Sequence, residues 1–395
     1  MLKAIDVKCL FGLYSYFLDF TNPELKLKFI TGPNGYGKTT ILSFINSLYL
    51  CQFDIFKKVP FDSITYLFEK ETIEIIQERV NDDSENEDSD ESHQIEMKLI
   101  VRFYRNEHPE GVEVFELKKD DNEDKIGHNL GIYLSSLSCY YIKDQRLRHK
   151  QAVVEGNAAR PADIVSILAV KDNADDLCNL LAEQSTKLNN ALNVAKLQFG
   201  TSIDEVEYNK RKQQLLPVLE QLQKFGLADE SLIPKDYVGA NVLFLTAYLV
   251  ALEKAVNEII PFVQRLETFF DIIDRSHFAD KRMEIHPRYG YRFKMNNELE
   301  NILPPFVLSS GEQHILILSY ELLFKAKETD IVLIDEPEMS FHLMWQMDFL
   351  KNLSSIIKLR NIQCIISTHS PQIFSQNWKL TVDLYKLSKS RETYE

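Results

Sequence analysis

Gly32-Pro33-Asn34-Gly35-Tyr36-Gly37-Lys38-Thr39 decides how this chain is read. The stretch fits G-x-x-x-x-G-K-[ST]. The run Leu25-Lys26-Leu27-Lys28-Phe29-Ile30 before it reads as a strand, and Thr40-Ile41-Leu42-Ser43-Phe44-Ile45 after it reads as a helix start. That strand–loop–helix setting is what the pattern requires. Glycines let backbone N–H groups converge on phosphates, and the helix turns its positive end toward them. The nucleotide-binding set is therefore Gly32, Pro33, Asn34, Gly35, Tyr36, Gly37, Lys38, Thr39 and Thr40. Lys38 is expected to reach the β- and γ-phosphates of ATP, and Thr39 to place its hydroxyl on Mg²⁺.

Working outward, Ile331-Val332-Leu333-Ile334 is wholly apolar and ends at Asp335-Glu336. A run apolar on both faces suits a central parallel strand, whose carboxyl end is where open α/β sheets bind ligands. Asp335 is expected to hold the Mg²⁺ shell and Glu336 to orient or deprotonate the attacking water. Ile365-Ile366-Ser367-Thr368-His369-Ser370 again ends a buried-looking strand with a polar tip. His369 is expected there beside Asp335, donating to the γ-phosphate.

Leu308-Ser309-Ser310-Gly311-Glu312-Gln313 resembles the signature loop of ATP-binding-cassette ATPases. The order of phosphate loop, signature, Asp335-Glu336 and His369 resembles the ABC-type ATPase heads of the Rad50, RecF and OLD-like branch. Ser310 and Glu312 replace the Gly and Gln usual in transporters, a form common in the RecF-like and OLD-like ATPases. The resemblance implies a P-loop α/β head: a mixed or parallel sheet with flanking helices, an antiparallel β lobe and an inserted helical lobe. It implies that Glu336 is the catalytic base, with Lys38 and His369 beside it. It also implies that Ser309, Ser310, Gly311 and Glu312 close over ATP held by a second copy, so that the working unit is a homodimer or a higher even oligomer. Glu336-Pro337-Glu338-Met339-Ser340-Phe341-His342 resembles the dimer-contacting loop of these families. Related ATPases carry a Gln at the gateway to the inserted lobe, and Gln145 is the matching residue, expected to touch Mg²⁺ and nucleotide.

The expected organisation is an N-terminal half of the head over 1–150, a helical insertion over 151–279 and a C-terminal half over 280–395. Apolar spacing by three and four marks helices around Leu215-to-Leu222 and from about Asn241 to Phe270. Pro217, Pro234 and Pro261 punctuate the region, and no long heptad array is present, so a compact lobe or short hairpin is expected. The run from Ile132-Tyr133-Leu134 through Tyr140-Tyr141-Ile142 reads as strand. Two strands, Thr72–Ile76 and Ile95–Val101, flank an acidic segment over 81–92 with seven carboxylates, read as a disordered hairpin tip.

That segment supplies half of the formal charge of −14. Net acidity argues against broad non-specific nucleic-acid binding, although a local groove depends on arrangement. Lys143, Arg146, Arg148, His149 and Lys150 form a basic cluster that fits a nucleic-acid contact, a partner's acidic face or a solvated surface run. Five scattered cysteines and no signal-peptide pattern suit a reducing cytoplasm without structural disulfides or zinc. The most apolar stretch, Val242–Leu252, is interrupted by Glu253 and Lys254, so no membrane span is expected.

The segments Glu338–Gln346, Thr368–Ile373 and Trp378–Leu384 resemble bacterial anti-phage ATPases, the AriA subunits of PARIS systems and, less closely, PtuA of Septu systems. The resemblance implies a sensor and scaffold acting with a separate nuclease, TOPRIM-like in preference to HNH, and a phage-protein trigger. A RecF- or Rad50-like repair ATPase on duplex DNA and an ATP-binding scaffold with incidental hydrolysis are the alternatives.

Overall fold

The computed structural model describes residues 1–21, 25–80, 96–105, 108–117, 127–143, 161–195, 202–276, 278, 280–295, 301–304, 307–328, 331–375 and 377–391. The chain forms two compact units: Met1–Arg146 with Ala326–Glu395, and Leu147–Lys325.

The first unit carries two sheets. In the five-stranded sheet, β14 (Thr381–Asp383), β3 (Leu27–Thr31), β13 (Gln363–Ser367), β12 (Ile331–Asp335) and β8 (Cys139–Ile142) follow in that order, every pair parallel. Every residue of β12 and β13 is buried, which explains their unbroken apolar runs. Helix α1 (Lys38–Tyr49) follows β3, α8 (Leu343–Arg360) joins β12 to β13, and α9 (Leu384–Arg391) follows β14. The antiparallel sheet runs β2 (Tyr14–Asp19), β1 (Leu2–Leu10), β4 (Ser63–Phe68), β5 (Glu71–Val80), β6 (Glu96–Arg105), β7 (His108–Leu117). Alternate residues of β4 (Ile64, Tyr66 and Phe68) turn into the core, the period-two pattern of a sheet buried on one face. Phe44 of α1 stacks on Phe56 of the short α2 (Asp54–Lys58) with centroids 5.2 Å apart. The tip between β5 and β6, including the acidic segment 81–92, lies outside the described residues.

One expected strand is a helix. Ile132–Leu134 belong to α3 (His128–Ser135), and only Cys139–Ile142 form the strand β8. Leu130 and Leu134, four apart, are the buried residues of α3, so its apolar run follows the helical period.

The second unit is built on α4 (Pro161–Ala195), α5 (Glu205–Lys224) and α6 (Val242–Arg275), with α4 and α5 each packed on α6. Pro217 and Pro261 do not end helices as expected but lie inside α5 and α6. Helix α6 buries Leu252, Val256, Ile259, Val263, Leu266 and Phe269 on either side of Pro261. Each such side chain contributes about 1.5–3 kcal/mol, and together they outweigh the roughly 3 kcal/mol of one interior proline. At 1.5 Å per residue α6 is about 50 Å long.

Residues 280–325, expected with the C-terminal half of the head, belong to this helical unit. They form β9 (Lys281–His286), β10 (Gly290–Met295), β11 (Ile302–Leu303) and α7 (Ser310–Tyr320), with the sheet order β11-β10-β9. Helix α4 explains the difference, because it packs on both β10 and α7. Tyr291 donates to the Val170 carbonyl at 2.6 Å, and Tyr320 to Asp176 at 2.7 Å. At Gly290, with φ +66°, a Cβ would come within 1.8 Å of the Ala174 carbonyl oxygen. Only glycine fits that approach. Among the described residues no helix is long and apolar enough to cross a membrane.

Candidate nucleotide site

The parallel register brings three strand tips together. Asp335 pairs with Ser367, Ser367 with Ile30, and the Thr368 amide donates to the Ile30 carbonyl at 3.1 Å. The phosphate loop follows the β3 tip directly and leads into α1. Gly32, Gly35 and Gly37 all have positive φ, and Pro33, Asn34 and Gly35 are exposed. At Gly37, φ +89°, a Cβ would come 2.6 Å from the Leu10 side chain. The backbone therefore turns into α1 without steric obstruction only because the residue is glycine.

Gly37 is also the N-cap of α1. No side chain caps that helix start, and its first turn, with Lys38, Thr39 and Thr40, holds no carboxylate. Orphan amides and the helix dipole at such a start favour an anion. Tyr36 is held from three sides. Its ring stacks on Tyr14 at 5.1 Å and meets the edge of Tyr385 at 5.8 Å, and its carbonyl accepts from Tyr16 at 3.1 Å.

Lys38 is buried and donates to the Gly32 and Pro33 carbonyls at 2.9 and 3.2 Å. Its ammonium also lies 3.4 Å from His369 Nδ1. Burial lowers its pKa, against the pull of the Glu336, Asp335 and Glu338 carboxylates. His369 Nε2 lies 2.7 Å from Glu336 Oε1. With an ammonium donating to Nδ1, the ring carries its proton on Nε2 and donates it to Glu336. Lys38, His369 and Glu336 thus form one hydrogen-bonded chain across the three strand tips. Glu336 has a left-handed backbone (φ 47°, ψ 58°), an unfavourable conformation of the sort that collects at functional sites.

The expected cation set is oxygen throughout. Thr39 donates to Asp335 Oδ1 at 3.1 Å, and Ser367 donates to the same oxygen. Beside Asp335, the buried Tyr141 hydroxyl faces the Asp335 carboxylate and Ser43. Burial and the Asp335 charge raise its pKa. One carboxylate, two aliphatic hydroxyls and a phenol fit a hydrated Mg²⁺, which binds through one or two carboxylates and keeps several waters. They do not fit a stripped transition metal, and among the described residues no cluster of three His, Cys, Asp or Glu could hold one. Gln145, also expected here, lies outside the described residues, as do Arg146, Arg148, His149 and Lys150.

Ser309, Ser310, Gly311 and Glu312 lie in the second unit, at the start of α7. Ser309 is the N-cap of a capping box: Glu312 N donates to Ser309 Oγ at 3.3 Å, and Ser309 N to Glu312 Oε2 at 2.6 Å. Lys281 Nζ holds both Glu312 oxygens at 2.9 and 2.8 Å. Ser309 and Ser310 are exposed, while Gly311 and Glu312 are buried. Glu312, expected to touch nucleotide, has its carboxylate committed to the cap and to Lys281 instead.

Three side chains that the sequence reading passed over complete the first unit's site. Ser367, fully buried, fixes Asp335. Glu338 binds the loop carrying His369: its Oε1 accepts from Thr368 Oγ1 at 2.6 Å and from the His369 amide at 2.7 Å. Tyr141 supplies the phenol beside Asp335. A signal existed for two of them: Ser367 ends an otherwise apolar strand, and Glu338 follows Pro337 just past the acidic pair.

Residues 16–267, more than half of the chain, match a family described as "AAA domain". The chain belongs to that AAA-domain family of ATPases. Residues 196–375 also match "AAA domain, putative AbiEii toxin, Type IV TA system". Protein ea59 of Escherichia phage lambda is 35% identical over 85 residues, which are 22% of this chain and 16% of that protein. The chain thus spans about a sixth of that relative's length. Among solved structures, the Smc head domain of Pyrococcus furiosus bound to the C-terminal domain of ScpA is 14% identical, covers 100% of this chain and 99% of that one, and gives a TM-score of 0.38. A second Smc head, bound to the C-winged helix domain of ScpA, is 12% identical over 95% of this chain and 91% of that one, with a TM-score of 0.37. Superpositions this loose add nothing to the fold described above.

Proposed function

We propose that the chain binds Mg²⁺-ATP at the phosphate loop, closes on a second copy of itself and hydrolyses the nucleotide between them. The observation that carries this reading is the Lys38–His369–Glu336 chain, lying where the uncapped start of α1 and the Thr39–Asp335 pair meet. Backbone amides of residues 35–39 cradle the phosphates, with Lys38 on the β- and γ-phosphoryl groups. Thr39 and Asp335 hold the cation, with Ser367 and Tyr141 behind them. Bound there, Mg²⁺ neutralises charge on the β- and γ-phosphates. Glu336 takes the proton of the attacking water, and His369 holds that carboxylate in place through its Nε2–H.

Ser309 is exposed, and its oxygen accepts from Glu312 N, which leaves its O–H free to donate. A second copy's Ser309 and Gly311 amide supply the missing donors to the γ-phosphate. Two copies satisfy both sites through one twofold interface. ATP then favours the closed dimer by its differential affinity for that state.

The biological setting we propose is bacterial anti-phage defence, with this chain as sensor and scaffold for a separate nuclease, TOPRIM-like before HNH. The toxin–antitoxin description of the family matched over 196–375 supports that setting. Plating phage on cells that carry the chain with its flanking genes tests it. Lys38→Ala is expected to abolish protection. Glu336→Gln then separates hydrolysis from binding as the signal. Unchanged plating with and without the genes, over a broad phage panel, would remove the defence reading and leave the ATPase reading standing.

A further inference from the structure

Glu338 lies on the turn Pro337–Ser340, immediately beyond the acidic end of β12, and no nucleotide contact is assigned to it. Its Oε1 accepts three hydrogen bonds, from Thr368 Oγ1 at 2.6 Å, the His369 amide at 2.7 Å and the Ser370 amide at 3.2 Å. The Thr368 hydroxyl accepts in turn from the Ser370 amide at 3.0 Å. Its other oxygen, Oε2, is buried with no partner among the described residues. A buried, half-satisfied carboxylate is a poor device for stability alone, since an unpaired acceptor keeps its desolvation penalty. What the carboxylate does achieve is geometric: all three of its hydrogen bonds fall on residues 368–370, the loop that carries His369. Ser370 Oγ extends the same connection to Gln346 of α8 at 2.6 Å.

We propose that Glu338 is the positioning residue for His369. It fixes the 368–370 loop so that the imidazole spans Lys38 and Glu336, and it ties that bridge to the turn after β12. The inference rests on the role given to His369 above. Without Glu338 the three donors turn to water, the loop relaxes, and the ring leaves the Lys38–Glu336 line. No hydrogen bond of Glu338 reaches the nucleotide cradle on α1, and losing a negative charge near Lys38 does not weaken anion binding there, so turnover and binding separate.

The test compares Glu338→Ala, Glu338→Gln, His369→Ala and the double variant. Glu338→Ala is expected to lower kcat by about 10- to 100-fold, the range of a misplaced acid–base group, with nucleotide binding not weakened. Glu338→Gln, which keeps an acceptor oxygen, recovers most of the rate. In the His369→Ala background Glu338→Ala adds almost nothing, because both lesions remove one function. A second readout needs no turnover: in ¹⁵N-histidine-labelled protein, the His369 ring signal, assigned by its loss in His369→Ala, moves in Glu338→Ala and stays in Glu338→Gln. Full additivity with His369→Ala, or an unmoved ring signal in a folded Glu338→Ala, overturns the proposal. Should Glu338→Ala fail to fold, Thr368→Val removes one donor and must shift the same signal; a fixed signal there is equally fatal. If His369→Ala itself turns over normally, the catalytic role of His369 falls, while the ring signal still decides whether Glu338 holds it.

Discussion

The phosphate site of the first unit and the start of α7 in the second are both helix N-termini, but they are finished in opposite ways. At α1 no side chain caps the helix, and Asp335, Glu336 and Glu338 face a lone buried lysine. At α7 a capping box closes the helix and Lys281 neutralises Glu312. The first is open to an anion at its amides and a cation at its carboxylates. The second is closed on itself and needs nothing bound to hold its shape. Under the function proposed above, the lesson is one of division of labour: one surface receives nucleotide, and the other is a rigid element that a second copy presents to it.

The sharpest way to break this contrast is to strip the receiving side. Lys38→Ala is expected to weaken ATP binding by about 100-fold or more, measured with a fluorescent nucleotide, because the buried cation of the phosphate loop is lost. Retained affinity would mean that the loop is not the receptor. Glu336→Gln should leave binding intact and slow single-turnover hydrolysis by about 100- to 1000-fold, as expected for a lost base.

On the presenting side, Lys281→Met strands a buried carboxylate. Side-chain exposure at this pair is 12% for Lys281 and 4% for Glu312. Loss of one partner of a buried pair costs about 3–5 kcal/mol, read as a lower urea midpoint for the second unit. Lys281→Met with Glu312→Gln should recover part of it. A neutral single variant would mean that the cap does not depend on the ion pair.

The smallest effect concerns pH. His314 on α7 is buried, and burial lowers its pKa to about 3 from 6.5. Between those values the unfolded chain takes up a proton that the native helix refuses. Stability therefore falls as pH drops through that window, by up to about 1.4 kcal/mol per pH unit, and is unaffected above it. His314→Gln should flatten the slope relative to wild type in urea titrations run from about pH 7 to about pH 4. Equal slopes would show that His314 is protonated in the native helix.

Much of this was readable from the residues. Strands β12 and β13 hold continuous apolar runs, β3 one interrupted by Lys28, and the strand order places their tips together. Lys38, Thr39, Asp335, Glu336 and His369 lie within contact of one another at those tips. The failures have physical causes. An apolar aromatic run such as Ile132–Leu134 suits strand or helix alike, and here α3 wins because Leu130 and Leu134 share one buried face. Pro261 lost to the apolar face of α6, which buries side chains on both sides of it. Residues 280–325 join the helical unit because of long-range packing on α4, such as the Gly290–Ala174 approach, which no local pattern announces. Glu338 escaped notice because its role depends on a loop 30 residues away.

The central claim is that each ATP is completed by a second copy of the chain, and mixing two inactive variants tests it most directly. Lys38→Ala lacks the receiving side and Ser309→Arg the presenting side. Combined in one tube, they form hybrid dimers in which one of the two sites has both surfaces intact. The account predicts that neither variant alone hydrolyses ATP and that the mixture regains about a quarter of wild-type turnover, from half the dimers with one good site each. A mixture as inert as its parts, or Ser309→Arg hydrolysing normally as a monomer, would contradict it.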